Sequence, residues 1–379
     1  MPQKTTISNT EKVPLGILTS IASAFEGEAS RERSVSKTCE KYYMMSLARC
    51  LMPDERVAIC HRYIRPNAST VNILKKPNAK RAYYSNLMVC GSVRHCPVCS
   101  ARITEVRRQE LTDALKAANY TVCLLTYTLS HNRKDALKTV LDALLTAYRK
   151  LKSRRDWRDM VAEYGWVGSV RSLEVTHGDN GWHVHIHELV LLPPNMPKSA
   201  LNGLLNAVKG KWGNALRAVG FNTSWEHGVR LSDDTKKINL YVAKFGEEEI
   251  VTGWTVEHEL TKAPNKRSKK GGRTPNQLLW DYGKGDRLAG QLWQEYARVF
   301  KGRNQLVWSR GLRKLLGIGT ELTDAEIADS VPADAVLLAS LTPDQWRRIL
   351  ALDFRGQVLD AAAQLDADDF TGWLADLLA

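Results

Sequence analysis

Three histidines alternate along one short segment and are the most informative chemical feature of this sequence. His183, His185 and His187 are separated by single apolar residues, Val184 and Ile186. Side chains of a β-strand alternate between its two faces, so a strand here presents all three imidazoles on one face. Histidine is the commonest metal ligand in proteins. The spacing therefore favours a metal site over a functionless histidine ladder at a sheet edge.

Two β-strands are predicted around a tight turn, one over residues 167–176 and the other over residues 182–192. Both runs are rich in β-branched and apolar residues, as strands are. Asn180-Gly181 between them is the strongest short hairpin signal. A turn at Asp179-Asn180 is the alternative, and it shifts the partner of each residue by two positions along the other strand.

A carboxylate reaches the histidine face under either register. With Asn180-Gly181 as the turn, Glu174 faces His187. With the alternative turn, Glu174 faces His185. Under both registers, Glu174 therefore lies on the same face of the hairpin as the histidines. One carboxylate with two or three imidazoles suits Mn²⁺, Mg²⁺ or Zn²⁺. The candidate ligands are therefore Glu174, His183, His185 and His187, whereas His177 near the turn is interpreted as a bystander.

A tyrosine and a lysine form a second candidate pair. Tyr241 and Lys244 are three residues apart in a predicted helix over residues 236–245, so they share one side of it. A tyrosine beside an ammonium group and a metal-bound phosphate can lose its proton and attack phosphorus. The YxxK pattern alone is common, and its ordinary interpretation is a ring that faces the core. It becomes informative because it follows the histidine hairpin.

The cysteines indicate a second metal site. Seven are present, and an odd number in a long chain argues for a reducing compartment rather than a disulfide scaffold. Four thiolates can close a tetrahedral structural zinc site, although His61 or His95 could replace one ligand and a redox CxxC is the competing interpretation. Such a module would present nearby arginines to DNA: Arg94, Arg102, Arg107 and Arg108. The preferred zinc ligands are Cys60, Cys90, Cys96 and Cys99.

Helices and strands alternate along the chain around these residues. Apolar spacing predicts further strands over residues 82–89, 120–130 and 229–231. The same criterion predicts helices over residues 36–55, 100–119, 135–152, 198–219, 278–300 and 312–316, and two or three more after residue 320. This order, with one clear hairpin, predicts an α+β protein with a central antiparallel sheet flanked by helices.

Charge is divided unevenly along the chain. The net charge is +13, but residues 320–379 carry 12 acidic and 3 basic residues, so residues 1–319 carry +22. A body this basic favours a nucleic-acid partner. The basic stretch 262–273 is either a flexible linker or a DNA-contacting segment. The predicted parts are an N-terminal arm and helix (1–55), a cysteine-rich zinc module (56–105), a main basic domain (106–319) and an acidic helical tail (320–379).

No apolar run reaches the roughly 18 residues that a membrane helix needs. Residues 13–25 are apolar and could imitate a signal peptide, but Gly16 and several hydroxyl residues interrupt them. We therefore expect a cytoplasmic protein with no membrane partner.

The order of these motifs resembles the HUH endonuclease family, in which two histidines flank a bulky apolar residue. Within that family it resembles the replication initiators of small bacterial rolling-circle plasmids. The resemblance covers about residues 55–320 and leaves out the arm and the acidic tail. The segments that carry it are residues 90–99, 124–129, 183–187, 241–244, 273–275 and 302–311.

The resemblance implies roles for individual residues. A central antiparallel sheet would hold a metal on one face, with His185 and His187 as the motif histidines and Glu174 as the third ligand. Tyr241 would be the nucleophile and Lys244 its companion. Some relatives carry a second tyrosine directly after the lysine, where this chain has a phenylalanine, so one nucleophilic tyrosine is expected. A glutamate could then activate water at the end of a replication round, from among Glu247, Glu248 and Glu249.

The activity implied is Mg²⁺- or Mn²⁺-dependent nicking and rejoining of single-stranded DNA at a plasmid origin. A 5′-phosphotyrosine would form, and the freed 3′-hydroxyl would prime synthesis. Expected partners are origin DNA, both duplex and single-stranded, together with host helicase and polymerase. Two alternatives stay open. One is a relaxase or transposase with the same chemistry, which His183 keeps open as a third motif histidine. The other is a non-enzymatic zinc-containing DNA-binding regulator.

Overall fold

The computed structural model describes residues 36–77, 80–117, 119–235, 238–239, 242 and 272–379. The strands are β1 (Val71–Lys76), β2 (Arg81–Ser85), β3 (Thr121–Tyr127), β4 (Gly168–Gly178), β5 (Gly181–Leu192), β6 (Val229–Ser232), β7 (Leu306–Trp308) and β8 (Val336–Leu341). They form two sheets of antiparallel pairs, ordered β6-β3-β5-β4-β7 and β2-β1-β8.

Helices flank both sheets, which makes the described part of the chain an α+β protein, as predicted. In the first half they are α1 (Lys37–Leu51), α2 (Pro97–Ala117), α3 (Leu137–Ser153), α4 (Arg155–Glu163) and α5 (Lys198–Arg217). In the second half they are α6 (Pro275–Gly283), α7 (Arg287–Phe300), α8 (Leu312–Leu315), α9 (Asp324–Asp329), α10 (Pro343–Ala351), α11 (Arg355–Gln364) and α12 (Ala367–Leu378).

The β4–β5 hairpin adopts the alternative register. Gly178 pairs with Gly181 and Glu174 pairs with His185, so Asp179-Asn180 is the turn and the register with Asn180-Gly181 in the turn is wrong. The left-handed conformation falls on Gly181 (φ +83°), which begins β5 instead of closing the turn. A Cβ on Gly181 would also lie 3.1 Å from the Cα of Arg133. The glycine is therefore required by both its backbone angle and a close approach.

The five-stranded sheet has two different faces. One face packs against α3 and α5 and contributes Leu125, Tyr127 and Ile186, all fully buried, to the main core. The other face carries the histidines near one end of the hairpin. Farther along the same face a second group of side chains, here called the face cluster, excludes water from the sheet. Its buried members are Leu111, Val170, Leu189, Leu191, Ile238, Val242, Leu306 and Leu312.

The acidic segment 320–379 is not only helical, which corrects the sequence interpretation. Besides four helices, α9 to α12, it contains β8, which pairs with β1 of the cysteine-rich region. A capping box at Thr323 begins α9 before this strand, and a second at Thr342 begins α10 directly after it. The strand completes a three-stranded sheet with segments from the other end of the chain.

Two further differences concern helices. The helix predicted over residues 278–300 is two helices, because the chain turns at Gly285 (φ +99°) and Asp286 then caps α7 through the amide of Ala289. Helix α4 was not predicted, since it directly follows α3 without an intervening run of turn residues.

Within the described ranges, no helix combines the length and the apolarity that crossing a bilayer requires.

Candidate active site and structural metal centre

Glu174, His185 and His187 bring one potential ligand atom each to the same point on the sheet. These atoms all lie within 4.8 Å of one another. Oε2 of Glu174 is 2.9 Å from Nε2 of His185 and 3.1 Å from Nε2 of His187. Neighbouring ligands of an octahedral Mg²⁺ ion, each at about 2.1 Å, are roughly 3.0 Å apart. The donor set and its spacing therefore fit a divalent cation.

The electrostatics of this group also favour a cation. Burial disfavours the charged form of Glu174, but hydrogen bonds with His185 and His187 outweigh it and lower the pKa of the carboxyl well below its ordinary value. The Glu174 side chain is 35% exposed, while those of the two histidines are 14% and 13% exposed. The Glu174 carboxyl is therefore ionised at neutral pH, and the group can be reached from solvent on the side of Glu174.

Thr126 was not identified from the sequence, although it lies within the first motif segment. It pairs with His187 across β3 and β5, and its Oγ1 is 2.9 Å from Nδ1 of His187. An imidazole that donates its Nδ1 proton to a hydroxyl has its Nε2 lone pair free for a metal. The contact orients the ring so that Nε2 of His187 is directed at Glu174. The parity of β3 would have revealed the contact only once its pairing with β5 was known.

His183 lies on the same face but outside the converging group. Its Nδ1 is 3.0 Å from Nε2 of His131, a residue that sequence reasoning did not single out. Burial, aided by the nearby His185, lowers the pKa of His183 to about 4, so its ring is neutral at physiological pH. The predicted bystander His177 packs against Trp182, with ring centroids 4.8 Å apart.

Tyr241 and Lys244 lie outside the described residues, as do Phe245, residues 247–249 and the basic stretch 262–271. Val242, the next residue after Tyr241, is described: it is helical and buried in the face cluster, as is Ile238. Leu189 of that cluster continues the histidine side of β5, two residues beyond His187. The chain next to the tyrosine is thus attached to the sheet face that holds the candidate metal ligands.

The four predicted zinc ligands converge as a second group, and all four are buried. Sγ of Cys60 lies 3.5 Å from that of Cys99 and 3.7 Å from that of Cys96, and Cys90 lies 3.6 Å from Cys99. Thiolates at 2.3 Å around a tetrahedral zinc ion would be about 3.8 Å apart. Hydrogen bonds from Cys60, Cys90 and Cys96 lower the pKa of the Cys99 thiol well below its ordinary value. Both observations fit a cation bound by four sulfurs.

Neither alternative zinc ligand belongs to this group. Nδ1 of His61 is 2.9 Å from the hydroxyl of Tyr42, and Nε2 of His95 is 2.6 Å from the carbonyl oxygen of Ala297. The expectation that this module presents its arginines to DNA is wrong for Arg107. That side chain is 6% exposed and forms ion pairs to three carboxylates: Glu110, Glu321 and Asp324.

Comparison with known proteins finds one family model and two curated relatives that match parts of this chain. Residues 84–204 match the family model described as replication protein. The chain is 29% identical over 335 residues to the curated "Protein rep" of Streptomyces lividans, covering 69% of this chain and 72% of that protein. It is also 29% identical over 149 residues to the "Neomycin resistance protein" of Streptomyces cyanogenus, covering 32% of this chain and 34% of that protein. No solved structure matches. The matched segment contains Glu174, His185 and His187.

Proposed function

The chain is a replication protein of the plasmid Rep type, and from this premise we propose that it initiates rolling-circle replication by nicking one strand of its plasmid origin in the cytoplasm. The observation that carries this proposal is the convergence of Glu174, His185 and His187 on one face of an antiparallel sheet. We assign this sheet to the HUH endonuclease type, because the two histidines flank an apolar residue on its central strand.

Glu174, His185 and His187 would hold Mg²⁺ or Mn²⁺, ions that suit mixed carboxylate and imidazole ligands. When bound, the ion would supply Lewis-acid polarisation of the scissile phosphate. The chain's own contribution is to fix the donors. Thr126 holds the ring of His187 in place, and the ionised Glu174 supplies negative charge. Cys60, Cys90, Cys96 and Cys99 would hold a structural Zn²⁺ apart from the chemistry.

Tyr241 is proposed as the nucleophile and Lys244 as the ammonium group that stabilises charge on the phosphate. The tyrosine loses its proton to solvent, and its oxygen forms a bond to phosphorus. The bond from phosphorus to the 3′ oxygen breaks, and this oxygen takes up a proton. The products are a 5′-phosphotyrosine and a free 3′-hydroxyl that primes synthesis. The neighbouring Val242 packs on the sheet face that carries Glu174, His185 and His187, here called the metal face. This attachment supports the assignment.

The test mixes the full chain with Mn²⁺ and labelled single-stranded oligonucleotides spanning the origin of its plasmid, followed by a denaturing gel. We expect a protein-linked band that resists SDS and is lost in Tyr241→Phe. Tyr63→Phe, on an exposed tyrosine of the cysteine-rich region, is the matched control and should retain the band. An adduct in Tyr241→Phe would refute the nucleophile. Duplex binding without any cleavage by the wild type would favour the non-enzymatic regulator.

A further inference from the structure

The loop between α5 and β6, residues 218–228, exposes an indole to solvent. Trp225 is 59% exposed, which makes it the most exposed large hydrophobic side chain of the described residues. Lone exposed apolar residues are common on protein surfaces. A tryptophan is a more specific case, because its large flat face can stack on a nucleobase.

Hydrogen bonds hold this loop firmly against the end of β3. The amide of Thr128 donates to the carbonyl oxygen of Gly228 at 2.9 Å, and the amide of Ser130 donates to that of Asn222 at 2.8 Å. Within the loop, the amide of Gly228 donates to the carbonyl oxygen of Ser224 at 2.9 Å. The indole is therefore presented by an anchored loop, so little conformational entropy is lost when a ligand contacts it.

The loop leads directly to the edge of the metal face. Arg230 of β6 pairs with Thr126 of β3, which pairs in turn with His187 of β5. Side chains in one row across a sheet share a face, so Arg230 lies on the histidine side. Adjacent strands are about 4.8 Å apart, which places the backbone of Arg230 roughly 10 Å from that of His187. Trp225 comes five residues before Arg230.

A lysine lies beside the indole, and an exposed arginine follows the loop. Nζ of Lys209 lies 5.5 Å from the centroid of the Trp225 ring. The exposed guanidinium of Arg230 is 3.0 Å from Nδ1 of His227. Glu226 is the loop's carboxylate, and it lies 3.9 Å from His227 with a side chain that is 84% exposed. An exposed aromatic face beside a lysine, in a loop that leads to an exposed arginine, suits a polyanion with free bases.

We propose that Trp225 stacks on an unpaired base of the DNA strand that enters the metal face, while Lys209 and Arg230 contact the flanking phosphates. This inference rests on the proposed function, since it concerns the substrate of the same face. The ligand of Trp225 is single-stranded DNA, because a base within a duplex is already stacked on both sides. Stacking of this kind tolerates any sequence.

The test measures binding by fluorescence anisotropy with the full chain in EDTA, so that no cleavage is required. The probes are labelled oligo(dT) of about 15 nucleotides, near the upper end of single-strand site sizes, and the matching dA·dT duplex. Trp225→Ala should weaken single-strand binding by about 5- to 150-fold, the loss of one base stack, and leave duplex binding within about twofold. Trp225→Phe should restore most of the affinity.

Tyr63→Ala is the matched control, since Tyr63 is 50% exposed and the Arg62 guanidinium carbon is 5.7 Å from its ring centroid. It should bind both probes like the wild type. Single-strand binding by Trp225→Ala at the wild-type level would overturn the proposal, and so would equal losses on both probes. Cleavage assays with Mn²⁺ are run separately. A wild type that never nicks, with a selective loss in Trp225→Ala, refutes the proposed function and leaves the stacking inference standing.

Discussion

Thr126 and His187 face each other across β3 and β5, with Oγ1 of the threonine 2.9 Å from Nδ1 of the histidine. The contact holds the imidazole of His187 through its Nδ1 atom. The imidazole ring is therefore oriented by the sheet itself, and the group does not rely on the cation to arrange it. Preorganisation of this kind lowers the cost of binding a metal.

Replacing Thr126 with valine keeps the side-chain shape and removes the hydroxyl. We expect Thr126→Val to weaken Mn²⁺ binding by about 10- to 100-fold, as loss of an outer-shell partner commonly does. Isothermal titration calorimetry on the full chain measures this directly. Thr128→Val is the control, because the Thr128 hydroxyl donates to the backbone of His227 instead of a candidate ligand. Equal affinities for Thr126→Val and the wild type would contradict the positioning role.

The candidate metal group was predictable from the sequence for a simple reason. Strand side chains alternate with a period of two, so Glu174 shares a face with His185 and His187 whether the turn begins at residue 179 or 180. The choice of register affected only which histidine stands opposite the glutamate. The cysteine group was predictable as well, because Cys96 and Cys99 form a CxxC whose other partners are nearby in sequence.

Contacts between distant segments could not be predicted in the same way. Thr126 becomes a partner of His187 only because β3 pairs with β5. The pairing of β8 with β1 joins the two ends of the described chain, and no local pattern specifies it. Similarly, Arg107 looked like a DNA-contacting residue because its partners, such as Asp324, lie far away in sequence. The propensity of a segment is local, whereas pairing depends on the whole fold.

The sheet is held from its other face by a buried ion pair. Glu188 is fully buried, and its carboxylate oxygens lie 2.8 and 3.0 Å from Nζ of Lys152. The same carboxylate accepts hydrogen bonds from the side chains of Tyr127, Tyr148 and Ser169. Glu188 directly follows His187 in β5, so this network also fixes the strand that carries the candidate ligands.

Breaking that pair should destabilise the protein. Lys152→Met leaves the Glu188 carboxylate buried without its cation, and we expect the free energy of unfolding to fall by about 3–5 kcal/mol. Urea denaturation measures the change. Lys150→Met is the control on the same helix, since the Lys150 ammonium donates to the carbonyl oxygen of Ala218 at an exposed position. The double variant Lys152→Met, Glu188→Gln should be more stable than Lys152→Met alone, and the opposite order would contradict this account.

Stability should also depend on Glu40. Burial raises the pKa of Glu40 from 4.5 to about 7, although the nearby Lys37 opposes the shift. Between these two pH values the folded chain binds more protons at this residue than the unfolded chain. The contribution of Glu40 to stability therefore falls as pH rises from 4.5 to about 7, and stays at its lower value above that range.

Glu40→Gln removes this penalty. We expect the variant to exceed the wild type in unfolding free energy by about 3 kcal/mol above pH 7 and to match it below pH 4.5. Thermal and urea unfolding across the pH range measure the difference. Glu163→Gln, at an exposed position, controls for the change in net charge. A difference between Glu40→Gln and wild type that does not vary with pH would rule out titration of this carboxyl as the cause.

The cysteine group and the acidic segment are joined by specific contacts. The indole of Trp346, 2% exposed, donates through Nε1 to the carbonyl oxygen of Arg62. Arg107, in the helix that begins beside the cysteines, contacts Asp324 at the start of the acidic segment. These contacts join the segment before β1 and helix α2 to elements after residue 320. Loss of order around the cysteines should therefore extend into the acidic segment.

Cys96→Ser tests both the zinc proposal and this coupling. We expect the variant to lose zinc and to lose more than about 4 kcal/mol of stability, a size typical of a destroyed metal site. Because β8 depends on β1 for its hydrogen bonds, amides of residues 336–341 should exchange with deuterium faster as well. Cys50→Ser, on an exposed cysteine outside the group, should change neither zinc content nor exchange. Full zinc content in Cys96→Ser would refute the ligand assignment. Zinc loss with unchanged exchange in β8 would refute only the coupling, since the acidic segment would then hold its place without the ordered cysteine group.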